Sequence, residues 1–267
     1  MKKYLSFFRI RFINGLQYRA AAYAGVATQF AWGGMNILLF RAFYQNGQSS
    51  YPMAFSALSS YIWLQQAFLA LFMAWYFDNE IFDSITSGNI AYELCRPTNI
   101  YAMWFTKNMA TRLSRAVLRC MPILFFAVFL PEPYNISLPV SVNAGIFFLV
   151  SMILGFLVLV AFTMLIYISA FYTISSLGIR ILATSAIEFL TGGIIPLPFF
   201  PQSFQAILNV LPFTYMQNTP FLIYNGYING SETLKGIFLQ ICWLAGLVAL
   251  GMILMKRALK KVVVQGG

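Results

Sequence analysis

Apart from its tyrosines, the chain's ionisable chemistry rests on seven carboxylates, 17 basic side chains and three thiols, with no imidazole. Without histidine, His-bearing zinc sites and Ser–His or Cys–His nucleophile pairs are excluded. Cys95, Cys120 and Cys242 show neither paired metal spacing nor the pattern of a secreted disulfide framework. No G-x-x-x-x-G-K-[ST] phosphate loop and no G-x-G-x-x-G fingerprint occurs, so ATP hydrolysis by this chain alone is not expected. Two acidic features remain. Asp78, Glu80 and Asp83 could hold Mg²⁺ through carboxylates. The preferred reading is a helix start, where the dipole favours negative charge. Glu188 stands alone in an apolar stretch, where an ionised group at the centre of a bilayer costs about 2.5 kcal/mol or more. It is expected to line a cavity or to hydrogen-bond Ser or Thr within a bundle.

The elements that must position these residues are set by hydropathy. The chain is 60% hydrophobic and only 9% charged, against roughly 25% for a soluble domain. Residues 133–179 contain no Asp, Glu, Lys or Arg, a run too long for a soluble core helix. The composition therefore predicts an all-α integral membrane protein, since about 20 apolar residues cross the hydrocarbon core. Six spans are expected: about 20–43, 55–77, 116–130, within 141–170, 181–197 and 237–255. Asn46, Gly47, Gln48, Ser49, Ser50 and Pro52 make a polar turn after the first. Pro131, Pro133 and Pro139 mark a loop after the third. The fourth reads as one long helix, because no Gly/Pro/Asn cluster divides it.

Residues 1–19 read as a basic, amphipathic helix lying on the membrane surface. Residues 78–115 are the most polar stretch. Asp78 or Asn79 can cap a short helix stopped at Gly88, and Thr98 or Asn99 can cap the next after Pro97. Residues 201–236 form a breaker-rich segment before the last span, and 202–217 could hold a short helix stopped near Pro220. With the N-terminus inside, 15 of the 17 basic residues fall on inner segments. Only Arg41 and Lys235 fall outside. That excess supports six spans with both ends in the cytoplasm. The net charge of +10 is thus read as orientation, and no nucleic-acid partner is expected. Gln29 and Asn36, seven apart in the first span, share a helix face. With Gln65 and Gln66 in the second, they are read as interhelical hydrogen bonds first and substrate contacts second.

Two stretches carry a family resemblance. Asp83-Ser84-Ile85-Thr86-Ser87-Gly88-Asn89-Ile90, continuing to Glu93-Leu94-Cys95-Arg96-Pro97, resembles the "G-x-I…L-x-R-P" segment of permease subunits of type-2 ATP-binding-cassette (ABC) exporters. Cys95 stands where another aliphatic residue is expected. Gly192-Gly193 through Pro196, Pro198 and Pro201, followed by Leu211-Pro212-Phe213 and Tyr224-Asn225-Gly226, resembles that family's outer segment between spans five and six. The resemblance implies one permease domain over 1–267, paired with an identical or related second permease. It implies separate ABC ATPase subunits beneath, which would carry the ATP and Mg, with no cofactor or metal on this chain.

Under this resemblance Asp78, Glu80, Asp83, Gly88, Glu93, Arg96 and Pro97 belong to a cytoplasmic coupling helix between spans two and three. Gly192, Gly193, Pro196, Pro198 and Pro201 shape a re-entrant outer hairpin that gates the exit. From the residues themselves, Gln29, Asn36, Gln65, Gln66 and Glu188 are the candidates to line the pathway. The implied setting is a bacterial plasma (inner) membrane, and the implied cargo an amphiphilic peptide, antibiotic or lipid-like molecule. The competing readings are an ATPase-independent secondary transporter and a membrane-embedded enzyme of lipid or cell-wall metabolism.

Overall fold

A computed structural model describes residues 2–45, 51–173 and 175–260. Among these residues every regular element is helical and no strand occurs. Residues 46–50 of the expected polar turn and Lys261 of the basic tail lie outside the described residues.

Helix α1 (Lys2–Gly15) packs along α7 (Ile100–Val128). Helix α2 (Arg19–Tyr44) matches the expected first span within a residue at each end. It packs on α3 (Phe55–Ala67) and α7. Asp78 caps α5 (Asn79–Thr86), its carboxylate accepting from the Glu80 amide at 3.0 Å. The turn α6 (Ile90–Leu94) follows. Asn99 caps α7 by accepting from the Ala102 amide at 3.0 Å. These caps satisfy amides that a helix start leaves without partners. Helix α7 is continuous through Pro122. Helix α8 (Val142–Ser169) is one helix, as expected, and α12 (Gly230–Leu259) packs against it. The stretches Val142–Tyr172 and Gly230–Leu259 are the two among the described residues long and apolar enough to cross a membrane by composition.

Three expectations need correction. The segment 55–77 is not one helix. Helix α3 ends at Ala67, the single turn α4 (Leu69–Phe72) follows, and Met73 is extended. No Gly or Pro marks this break; its carbonyls are held by a side chain from α7, described below. The fifth helical segment, α9 (Ser176–Leu190), stops seven residues before 197. There Gly192 adopts φ +78°, which favours glycine, and the Gly193 amide bonds back to the Glu188 carbonyl at 3.1 Å. Pro220 does not stop a helix. It lies in the first turn of α11 (Asn218–Tyr224), where a missing N–H costs nothing. Residues 202–217 hold α10 (Gln202–Leu208) and a 3₁₀ turn over Pro212–Tyr215 instead of one helix.

Helix α11 is buried against α8 and α3, so the breaker-rich segment returns into the bundle. Tyr61 ties it in place, its hydroxyl donating to Asn218 Oδ1 at 3.0 Å. Large apolar side chains face outward instead: Leu38 and Leu39 on α2, Phe125 on α7, Ile153 on α8 and Ile241 on α12. Exposed apolar surface on that scale suits a lipid surround.

Candidate functional site

Residues 78–97 are clamped to the start of α7. Lys107 Nζ lies 2.7 Å from Asp78 Oδ2 and donates to Glu80 Oε2 at 2.6 Å. An ammonium thus occupies the place where an Asp78–Glu80 metal site would need its cation. The Trp104 indole donates to Glu93 Oε2 at 2.7 Å, and the Asp78 amide donates to the Tyr167 hydroxyl at 2.8 Å. Helix α1 joins the clamp. Lys3 Nζ donates to the Pro97 carbonyl at 2.6 Å, the Asn99 amide donates to the Tyr4 hydroxyl at 3.0 Å, and Arg11 lies 3.8 Å from Glu80. Asp83 and Arg96 are exposed, and so are Tyr92 and Leu94 on α6. Gly88 turns the chain between α5 and α6 at φ +76°.

The hydrogen bond from Lys107 and its charge hold the Glu80 carboxyl below its usual range, with Arg11 adding to the effect. A depressed folded value means the contribution is fully present at neutral pH and lost as pH falls through that value. Hydrogen exchange of α1, corrected for intrinsic rates, is expected to stay flat from neutral pH down to the ordinary glutamate range near pH 4, and to rise progressively from there as pH falls. A rise already complete above that range, or none below it, would contradict the assignment.

Arg112 was not among the expected site residues, yet it is the most buried charge of the structure, at 0% exposure. It reaches across the break in 55–77. Its guanidinium donates to the carbonyls of Leu71 at 3.3 Å, Met73 at 2.7 Å and Tyr76 at 3.0 Å, and to Asn108 Oδ1 at 2.7 Å. All four acceptors are neutral, so this cation serves as a donor fork rather than an ion-pair partner. The signal in sequence is Asn108, one helical turn before Arg112 on the same face.

The five expected pathway residues come together. Gln29 and Asn36 from α2, Gln65 and Gln66 from α3, and Glu188 from α9 line one cavity of about 630 Å³. Trp32, Trp75, Thr191 and Gln217 complete much of its wall. Gln65 also serves as interhelical glue, its Nε2 donating to the Gly193 carbonyl. Gln217 Nε2 donates to Thr191 Oγ1 at 3.1 Å. Gly193 borders the cavity, while Gly192 faces the Tyr61 hydroxyl. Pro196, Pro198 and Pro201 lie away from the cavity wall. Pro196 precedes a 3₁₀ turn over Leu197–Phe199 that contains Pro198, and Pro201 precedes α10.

Arg119 also reaches the cavity, although the sequence reading counts it only among the inner basic residues. It lines a second cleft of about 590 Å³ between α1 and the start of α5, with Arg11, Lys107 and Arg115. Its guanidinium lies against α2 at Gly25, where a Cβ would come within 2.6 Å of Cζ.

The arrangement defines a class: a helical membrane protein with an amide-lined cavity and a short capped segment clamped to α7. The model of the ABC-2 family transporter proteins matches residues 30–266, and the chain belongs to that family. It is a membrane transport permease, a component that moves cargo rather than a catalyst. Its family normally works with ABC ATPase subunits. No curated protein and no solved structure matches the chain.

Proposed function

We propose that this chain is the permease subunit of an ABC exporter, working as a dimer with an identical or related permease. Separate ATPase subunits carry the ATP and Mg and drive it through residues 78–97. One observation supports this most. Lys107 and Trp104 clamp the segment to α7, while Tyr92, 73% exposed, and Arg96 stay open on the same segment. A short capped helix fixed at its root moves as a body. In this reading α2, the 55–77 segment, α7, α8, α9 and α12 provide six spans with both ends in the cytoplasm, because that placement puts most basic residues inside. The α10–α11 segment is a re-entrant outer hairpin shaped by Gly192, Gly193, Pro196, Pro198 and Pro201. The setting is a bacterial plasma membrane, and the cargo an amphiphilic peptide, antibiotic or lipid-like molecule.

A tagged pull-down from gently solubilised native membranes tests the partnership. A separate P-loop ATPase is expected in the complex, with any second permease. Repeated recovery of a chain active in liposomes without an ATPase would overturn the reading. Within such a complex, Gly88→Pro and Arg96→Glu are expected to leave insertion intact and uncouple ATP hydrolysis from transport. Proline fixes φ near −65°, against the +76° observed at Gly88. Normal coupling in both variants would remove residues 78–97 from the coupling role.

A further inference from the structure

The cavity holds one carboxylate, Glu188, and one guanidinium, Arg119. Among the described residues neither takes part in an ion pair, with the other or with any further group. Opposite charges that line one cavity and leave each other unpaired can each receive a counter-charge from a ligand. A ligand with a single charge compensates one of them and leaves the other.

Gln29 adds a second, independent observation. It is 3% exposed and lines the cavity, yet neither Nε2 nor Oε1 has a partner. Two other amide nitrogens of the wall are engaged, that of Gln65 with Gly193 and that of Gln217 with Thr191. A buried primary amide with both ends open asks for a group that accepts at one atom and donates at another. An amide of the ligand does both. Trp32 and Trp75 supply an apolar, aromatic wall for a chain or ring.

We propose that this cavity selects a zwitterionic, amide-bearing amphiphile, with its anionic group on Arg119, its cationic group on Glu188 and its amide opposite Gln29. This deepens the permease reading and rests on it for the cavity's role in transport. Arg119 also lines the cleft beside α1, whose wall carries Arg11, Lys107 and Arg115 together with Asp78 and Glu80.

The test is direct binding to the full chain in dodecyl maltoside, whose headgroup is uncharged. Three probes share one acyl chain and one amide. Nα-dodecanoyl-lysine is zwitterionic, Nα-dodecanoyl-norleucine anionic, and N-(5-aminopentyl)dodecanamide, the lysine probe without its carboxylate, cationic. Each affinity is corrected for that probe's own partitioning into protein-free micelles. The zwitterion is expected to bind about tenfold or more tightly than either singly charged probe. Arg119→Gln should erase its advantage over the cationic probe alone, and Glu188→Gln its advantage over the anionic probe alone. Arg119→Lys and Glu188→Asp, which keep the charges, should preserve both preferences and guard against loss of fold.

Equal affinity for all three probes in the parent chain would overturn the proposal. So would a loss of preference that does not follow the charge removed. Absence of an ATPase in the pull-down would sink the partnership and leave these affinities standing. Indifferent affinities beside a recovered ATPase would sink the ligand class alone.

Discussion

Arg112→Leu is expected to lower the thermal transition of the solubilised chain by roughly 6–12 °C, the equivalent of about 3 kcal/mol at this chain length. Leucine fills much of the space and offers no donor. The carbonyls of Leu71, Met73 and Tyr76 then lose the partner that holds the non-helical stretch after α4. Each buried acceptor left without a partner costs about 1–3 kcal/mol. Arg112→Lys should fall between, because a point ammonium cannot span the same fork of acceptors. Arg115→Leu is the control. Its guanidinium lies 4.1 Å from the Tyr76 ring centroid, a contact worth about 0.5–1 kcal/mol at exposed sites. Equal shifts for Arg112→Leu and Arg115→Leu would show that the carbonyl fork does not hold this break.

The second large effect is expected at Gly155. A Cβ there would lie 1.9 Å from the Met216 carbonyl oxygen and 3.0 Å from that of Tyr215. Both atoms are main chain, so neither can swing aside as a flexible side chain would. Nearby, Gln240 Nε2 donates to the carbonyls of Ser151 at 3.0 Å and Tyr215 at 2.9 Å, joining α12, α8 and the returning segment. Gly155→Ala must therefore push the segment off α8. Overpacking costs about 1–3 kcal/mol, which corresponds to roughly 5- to 150-fold more frequent opening. The readout is thiol labelling of Met216→Cys, a site with 0% exposure in the parent, after Cys95, Cys120 and Cys242 are changed to serine. Gly178→Ala, where a Cβ meets nothing within 4 Å, should leave labelling unchanged. Identical labelling in the Gly155→Ala and Gly178→Ala backgrounds would refute the close seat.

What the sequence discloses follows the range of the interaction. The caps at Asp78 and Asn99 are legible, because an acceptor side chain before a helical run answers a need within three residues. Helix α8 is legible for the same local reason, since no breaker interrupts its run. The convergence of Gln29, Asn36, Gln65, Gln66 and Glu188 on one cavity is partly legible. Polar groups at membrane depth have few places to go. The end of helical structure after Phe72 is not legible: Leu69–Phe72 carries no helix breaker, and the carbonyls of Leu71, Met73 and Tyr76 are held by Arg112, about forty residues later. The early end of α9 was available in Gly192, but apolar residues up to Leu197 hide it from a hydropathy window. Arg119 is hidden differently, because a basic residue near a span end reads as orientation until packing shows what lies on either side.

The proline inside α7 bears on where that helix yields. Proline has no amide hydrogen, so the carbonyl of residue 118 receives no bond from position 122. The clamp formed by Lys107 and Trp104 stiffens α7 below this point. A torque applied at the clamped end therefore meets its most compliant turn at 118–122. That turn carries Arg119, the side chain shared by the basic cleft and the amide chamber. If α7 bends under load, the missing bond at Pro122 places the bend beside Arg119, and both cavities change shape together.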